Sequence, residues 1–520
     1  MDSIAGSVIV LYLLGVMVVG IFMSRRSKSS SGWAVGSSQM SGLLVAFGLA
    51  GARIGGAGTY GVAGDVVTGG VWNMWWYGLS SFAALLLVGL GFAVYYRRLR
   101  LQTVGELFLI RFNSKRCQWL TSMCVQTEYA IINVIEAYVI GVIISSLTPL
   151  SMLQGTLIAA LVLATYVSLG GLWGTAVTNV IHCIVILASL LAVVVIGVRE
   201  FGGWDIVVER VNLQLSQSSE SRTAWWGFSG GGWVAIAAMF FSATIHSPAA
   251  SIYANYSTAT KTERSLVPAF IAGGVIAALM PVLAGLIGIL TVAKFGPNSG
   301  LAGYQNLTTL AADISPVMGG LALAAVLAAV ISSGGPILLS SATMFVRDWM
   351  PSARAYSSEQ RLRAYQVVTA IYALISALIA WRIAISTRIS ILDLLLLGFA
   401  MVVPAAISVI YVLYWRRTTE PGAYWGMLAG YGAGGAWFVL VKWALWADLQ
   451  VSDGASVPVR FFVSLLTSNG EGLDPAYVTT LVPLFVIPAI SLLTTFAPDK
   501  ESEFRMQLAS GRDLDVTDSK

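Results

Sequence analysis

The sequence predicts an all-α polytopic membrane protein with about 13 transmembrane helices, and three observations carry that expectation. Of its 520 residues, 57% are hydrophobic and 11% are charged, less than half the roughly 25% with which a soluble protein covers itself. The mean hydropathy is +0.79. Apolar runs long enough to cross a bilayer recur from end to end, and thirteen of about 22 residues would use roughly 290 residues, leaving the rest for loops and tails.

The first run, 4–23, lacks a basic leader and is followed at once by Arg25, Arg26 and Lys28. A signal peptide shows the reverse pattern, so an uncleaved helix with its N-terminus outside is expected. The second run, 42–64, reads LAGARIGGAGTYGVAG over 49–64, and Gly51, Gly55, Gly56, Gly58 and Gly61 weaken a helix near mid-membrane. Runs at 71–96, 117–147, 152–170 and 175–198 follow. The seventh, 229–253, carries Pro248 inside SATIHSPAASIY (242–253), where a missing N–H kinks a helix. Runs at 266–293, 318–346, 364–387, 391–415, 422–446 and 478–497 complete the set.

Charge placement orients the chain. With the N-terminus outside, the cytoplasmic stretches 24–41, 97–116, 171–174, 254–265, 347–363, 416–421 and 498–520 hold 21 Lys and Arg, and the outer stretches and helix ends hold 8. That asymmetry satisfies the positive-inside rule and places the C-terminus in the cytoplasm of a multi-pass plasma-membrane protein. The outer stretches 199–228, 294–317 and 447–477 are long enough for short surface helices, and the polar tail 498–520 is expected to be mobile.

Composition also excludes function classes. The net charge of +5 comes with no basic, aromatic-interleaved cluster, so no nucleic-acid partner is expected. No G-x-x-x-x-G-K-[ST] occurs, so an ATP-driven pump has no motor. Cys117, Cys124 and Cys183 lack metal or redox spacing and are expected to be buried, unpaired hydrophobes. No catalytic triad, carboxylate pair or metal-ligand pattern is present, so neither an enzyme nor an organic cofactor is expected.

The two weakened helices open two five-helix blocks, 42–198 and 229–415. Interrupted helices at corresponding places in two halves point to an inverted-repeat transporter with a site at the membrane midplane. The expected organisation is an extra helix and cytoplasmic loop (1–41), a first repeat (42–198), an outer loop (199–228), a second repeat (229–415), two further helices with an outer loop (416–497), and the tail (498–520).

Four segments carry a family resemblance over about 8–440: WAVGSSQMSG (33–42), YVSLGGLWGTAVTNVIHCIVI (166–186), STATKTERS (257–265) and AAVLAAVISSGGPILLSSATMFVRD (324–348). They resemble, in order, the "yFlaGRs", "GGl-av--TD--Q", "sAkdekvAr" and "laAimSTadS-L---ss----D" segments of the sodium:solute symporters. The resemblance implies a LeuT-type 5+5 inverted-repeat core, with one helix before it and two after. It also implies a sodium ion between the first and eighth core helices, held here by the carbonyls of Gly51, Ile54 and Ala329 and the hydroxyls of Ser332 and Ser333. Hard cations favour such oxygens, and a helix break frees carbonyls to supply them.

The chain departs from the family's pattern at two places. Arg53 stands between the implied carbonyl donors where relatives carry Asp or Asn, and Thr178, Asn179 and His182 replace a Thr-Asp and a following Gln. An arginine at the bilayer centre costs at least ~2.5 kcal/mol and normally faces the interior with a partner. Arg53 has three readings: a fork for a substrate carboxylate, an ion pair with Glu136 or Glu128, or a stand-in for the sodium charge. Glu128 and Glu136 lie about 80° apart around one helix; the first is read as lining a water-filled cytoplasmic cavity, the second as the Arg53 partner. His182 and His246 lie in apolar segments, where a neutral hydrogen-bonded histidine competes with a proton relay; His246, beside Ser247-Pro248, falls next to the expected substrate cavity. Trp72, Trp75, Trp76, Tyr77, Trp225 and Trp226 are read as interfacial belt residues, with aromatic gating as the alternative.

The resulting expectation is a secondary active transporter that takes up a small polar organic solute with sodium by alternating access. The alternatives are a proton-coupled or uncoupled carboxylate carrier using Arg53 with Glu136 or His182, and a non-transporting membrane sensor.

Overall fold

A computed structural model describes residues 2–218, 221–298, 303–384, 391–447, 456–467 and 472–510. Parts of the expected run 364–387, of the stretches 199–228, 294–317 and 447–477, and of the tail 498–520 therefore lie outside the described residues.

The major helices are α1 (Asp2–Met23), α2 (Gly42–Ile54), α3 (Val62–Gly69), α4 (Trp72–Gly91), α5 (Lys115–Leu147), α6 (Met152–Glu200), α7 (Gly232–Ile245) and α8 (Ser251–Ala259). They continue as α9 (Leu266–Phe295), α10 (Pro316–Met344), α11 (Ser358–Ala384), α12 (Ile391–Tyr414), α13 (Glu420–Trp446), α14 (Pro475–Leu493) and α15 (Pro498–Ser510). Every apolar run of the sequence falls on one of them. Among the described residues, eight helices are long and apolar enough to cross a membrane, or ten when each bent pair counts as one span.

Serine and threonine start these helices as acceptors for the first free amides. Ser41 accepts from Leu44, Ser114 from Cys117, Ser315 from Met318 and Thr419 from Gly422, and Ser151 forms a reciprocal capping box with Gln154. The expected runs 152–170 and 175–198 form the single long helix α6, broken at Gly171 (φ +54°, ψ −151°). A side chain there would also meet the Trp33 carbonyl at 2.7 Å.

Both predicted interruptions are present. α2 ends at Gly55 (φ +49°), passes through a π turn at Ala57–Gly61, and resumes as α3 at a bend of 60°. α7 gives way to a 3₁₀ turn at Ser247–Ala249 around Pro248, and the chain resumes as α8 bent by 53°. Between the two broken helices runs α10, the central pillar, buried without interruption from Ala322 to Met344. Its small residues let α2, α5 and α6 approach closely. Tyr166 of α6 donates to Ile331 O at 3.1 Å, and Gln126 of α5 donates to Ser341 O at 2.9 Å.

Two expectations need correction. The tail is ordered over 498–510: α15 buries Phe504 and Leu508, Arg505 donates to Leu413 O at 2.7 Å, and Glu501 pairs with Arg111. Two apolar side chains three to four positions apart give this polar segment a docking face. Trp225 is no belt residue either: it is buried, and its carbonyl accepts from Val71 N at 2.9 Å. The three cysteines are buried and unbonded to one another, and short helices at Trp204–Ser216, Gly303–Ile314 and Val457–Thr467 occupy the outer stretches.

Candidate cation and solute site

The break in α2 faces the middle of α10. Ser332 Oγ lies 3.2 Å from Gly51 O and 2.8 Å from Ala329 O, so three of the five expected cation donors converge. Ser333 Oγ lies 3.4 Å from the same Ala329 carbonyl and 2.5 Å from Glu136 Oε1. Ile54 is the last residue of α2, and a side chain at the next position, Gly55, would stand 2.9 Å from Ser333 Oγ and 3.0 Å from Glu136 Oε1. Positive φ and lack of space both require glycine there. This cradle of carbonyl and hydroxyl oxygens suits a hard cation and offers a soft one nothing.

Above the cradle lies a cavity of about 460 Å³, within the range of small-molecule sites. Arg53, Ile54, Glu128, Glu136, His246 and Ser333, all singled out in the sequence, line it. Its walls come from α2, α3, α4, α5, the broken α7–α8 pair, α10 and α12. Buried polar atoms of its lining residues are unfilled: Arg53 Nε, Glu128 Oε2 and Glu136 Oε2 have no hydrogen-bond partner.

The partners of these groups differ from those expected. Arg53 forms no ion pair among the described residues; it donates to Ala243 O of α7 at 2.7 Å, with Tyr253 beside it. Glu136 instead accepts from Ser333, so the expected Arg53–Glu136 pair is not formed. Arg53 thus reaches α7, while Glu136 is held by α10. Glu128 faces His246 Nε2 at 3.7 Å. His246 Nδ1 donates to Ser242 O at 2.7 Å, which only the Nδ1–H form can do, and its ring stacks on Phe399 at 4.8 Å.

Asn179 and His182 lie outside the cavity lining. Asn179 donates to Gly48 O at 3.2 Å and packs against Gly51, bracing α2 just before its break. His182 bonds through Nδ1 to the Tyr12 hydroxyl of α1, on the far side of α6 from the cavity. Sequence reasoning missed Asp65, Tyr60, Tyr129, Tyr138 and Phe399, which line the cavity. Asp65 carried a usable signal, an acidic residue one position beyond an apolar run; the tyrosines, scattered over α5 and the π turn, carried none. Tyr129 accepts from Ile252 N at 3.0 Å and so caps the start of α8.

Two bent helices flanking a buried central helix, with an oxygen cradle and a cavity at the bends, define an ion-coupled membrane transporter rather than an enzyme. Residues 33–430 match the Sodium:solute symporter family, and the chain belongs to that family. It is 24% identical over 476 residues to sodium/glucose cotransporter 4 of Homo sapiens, covering 82% of this chain and 68% of that protein. It is 22% identical over 451 residues to the sodium/pantothenate symporter of Haemophilus influenzae, covering 82% and 88%. Among solved structures it matches a substrate-bound, outward-open Na⁺-coupled sialic acid symporter with a TM-score of 0.73 at 17% identity, over 95% of this chain and 98% of that one. MhsT in complex with L-phenylalanine matches with a TM-score of 0.55 at 14% identity, over 86% and 98%. The fold is the LeuT type, and the chain is an integral multi-pass membrane protein that carries out sodium-coupled secondary transport of small solutes.

Proposed function

We propose that the chain takes up a small polar organic solute together with sodium, binding the ion at Gly51, Ile54, Ala329, Ser332 and Ser333 and the solute in the adjoining cavity. The observation that carries this reading is the meeting of Gly51 O, Ala329 O and Ser332 Oγ across the break of α2. An ion there ties a broken helix to the central helix, so its arrival and departure bias the rocking of one repeat against the other. Residues 42–198 and 229–415 act as those repeats in the plasma membrane, with the N-terminus outside and the C-terminus in the cytoplasm; the excess of basic residues on the inner stretches supports that orientation. One sodium ion moving inward at about −100 mV contributes ~2.3 kcal/mol, enough for roughly fifty-fold accumulation of solute.

The test is thermal unfolding of detergent-purified protein in sodium chloride against choline chloride at equal ionic strength. A ligand that binds only the folded state stabilises it by about 2.7 kcal/mol at about a hundredfold excess over Kd. The expected result is a sodium-specific rise in Tm that disappears in Ser332→Ala/Ser333→Ala. A Tm indifferent to sodium removes the site.

A second feature refines the solute. The unfilled Arg53 Nε beside the cavity favours a solute bearing a carboxylate.

A further inference from the structure

We propose that Glu136 is the charged member of the cation site, setting the geometry of Ser333 and supplying the negative charge that the five oxygen donors lack. The inference rests on the cation reading of Gly51, Ile54, Ala329, Ser332 and Ser333 given above. Those donors are all neutral, whereas an ion taken from water into a buried cradle loses a large hydration energy that neutral oxygens replace only in part. Glu136 is buried, and among the described residues it is the only carboxylate bonded to a cradle hydroxyl. Glu128 faces His246 instead.

The hydrogen-bond direction gives Glu136 a second role. A hydroxyl that coordinates a cation must turn its hydrogen elsewhere. For Ser333 the acceptors in reach are Glu136 Oε1 at 2.5 Å, Val330 O at 3.2 Å and Ala329 O at 3.4 Å. Donation to Glu136 releases Ala329 O from Ser333, leaving only Ser332 on that carbonyl, and turns the Ser333 lone pairs towards the cradle. Glu136 Oε2 then remains a buried carboxylate oxygen without a hydrogen-bond partner beside the site. The adjoining Gly55 has no Cβ to separate the carboxylate from the cradle. The ligand class this combination suits is a small, hard, monovalent cation, and a carboxylate of high field strength favours sodium and lithium over potassium.

The experiment is a sodium titration of the full-length purified protein, followed by Tm at constant ionic strength, for wild type, Glu136→Gln and Glu136→Asp, repeated with lithium and potassium. The expected result is a sodium midpoint at least tenfold higher in Glu136→Gln, a weaker preference for sodium and lithium over potassium, and an intermediate midpoint in Glu136→Asp. A purely structural Glu136 would lower Tm equally in sodium and choline and leave the midpoint within twofold of wild type, which overturns the proposal while the cation site stands. If Glu136→Gln does not purify, Glu136→Asp decides by the same criterion. A wild type that ignores sodium overturns the cation site itself, and this inference with it.

Discussion

Arg53 holds a permanent positive charge against a cavity wall with one of its donors unused. Its hydrogen bond to the Ala243 carbonyl leaves that charge unneutralised by any ion pair among the described residues. A substrate carboxylate would fill the open donor and remove the desolvation penalty together. Among small carboxylates and their neutral methyl esters screened by Tm in sodium, the acids should bind and the esters should not. Arg53→Gln should weaken the best acid by tenfold or more, and Arg53→Lys, which keeps the charge and loses the planar fork, should recover part of that. Binding of neutral solutes alone, unaffected by Arg53→Gln, would sink the carboxylate reading. The candidate residues themselves were legible because an ionisable group in an apolar run is conspicuous. Their partners were not, because each bond reaches a different helix and depends on the tertiary packing: Arg53 bonds to α7 and Glu136 to α10. His182 shows the limit: it lies three residues after Asn179, yet it turns to Tyr12 of α1 while Asn179 holds α2.

Among the helices, α10 illustrates what a pattern of small residues conveys and what it omits. The segment SSGGPILLSS (332–341) announces close packing, and α10 is buried throughout this segment. Which neighbour fills each gap is set by the fold: a Cβ at Gly335 would overlap the Tyr166 hydroxyl of α6, the group that bonds to Ile331 O. Gly335→Ala should therefore cost about 1–3 kcal/mol by overpacking. Because the hydroxyl is the nearest atom, with the ring Cζ next at 2.6 Å, Gly335→Ala/Tyr166→Phe should recover part of the loss of Gly335→Ala alone, although Tyr166→Phe by itself loses a hydrogen bond. Additive losses in Tm across the four proteins would show that the overlap is relieved in some other way. The broken helices were legible for the same reason, glycine and proline being local signals. The docking of α15 was not, since its two buried side chains, Phe504 and Leu508, sit in an otherwise polar segment and matter only once a surface is presented to them.

The assembled protein must still be set in a bilayer, and its charges and its cysteines together make the orientation testable. Arg111 and Glu501 tie α15 to the segment 105–112, and Arg116 pairs with Glu420 at the start of α13. The basic stretches 97–116 and 416–421 and the tail thus share one end of the molecule, as the charge asymmetry of the sequence requires. Thr223, in the stretch 199–228 expected outside, is exposed, as is Ser357 in the stretch 347–363 expected in the cytoplasm. Cys117, Cys124 and Cys183 are buried, so a membrane-impermeant maleimide should find little background. Thr223→Cys should react in intact cells and Ser357→Cys only after permeabilisation. The reverse pattern would turn the molecule over and, with it, the direction in which the sodium gradient drives the solute. Ser357→Cys carries the stronger argument, because its stretch follows directly on α10: the side on which it reacts fixes which end of the central helix, and hence which side of the Ser332–Ser333 cradle, faces the cytoplasm.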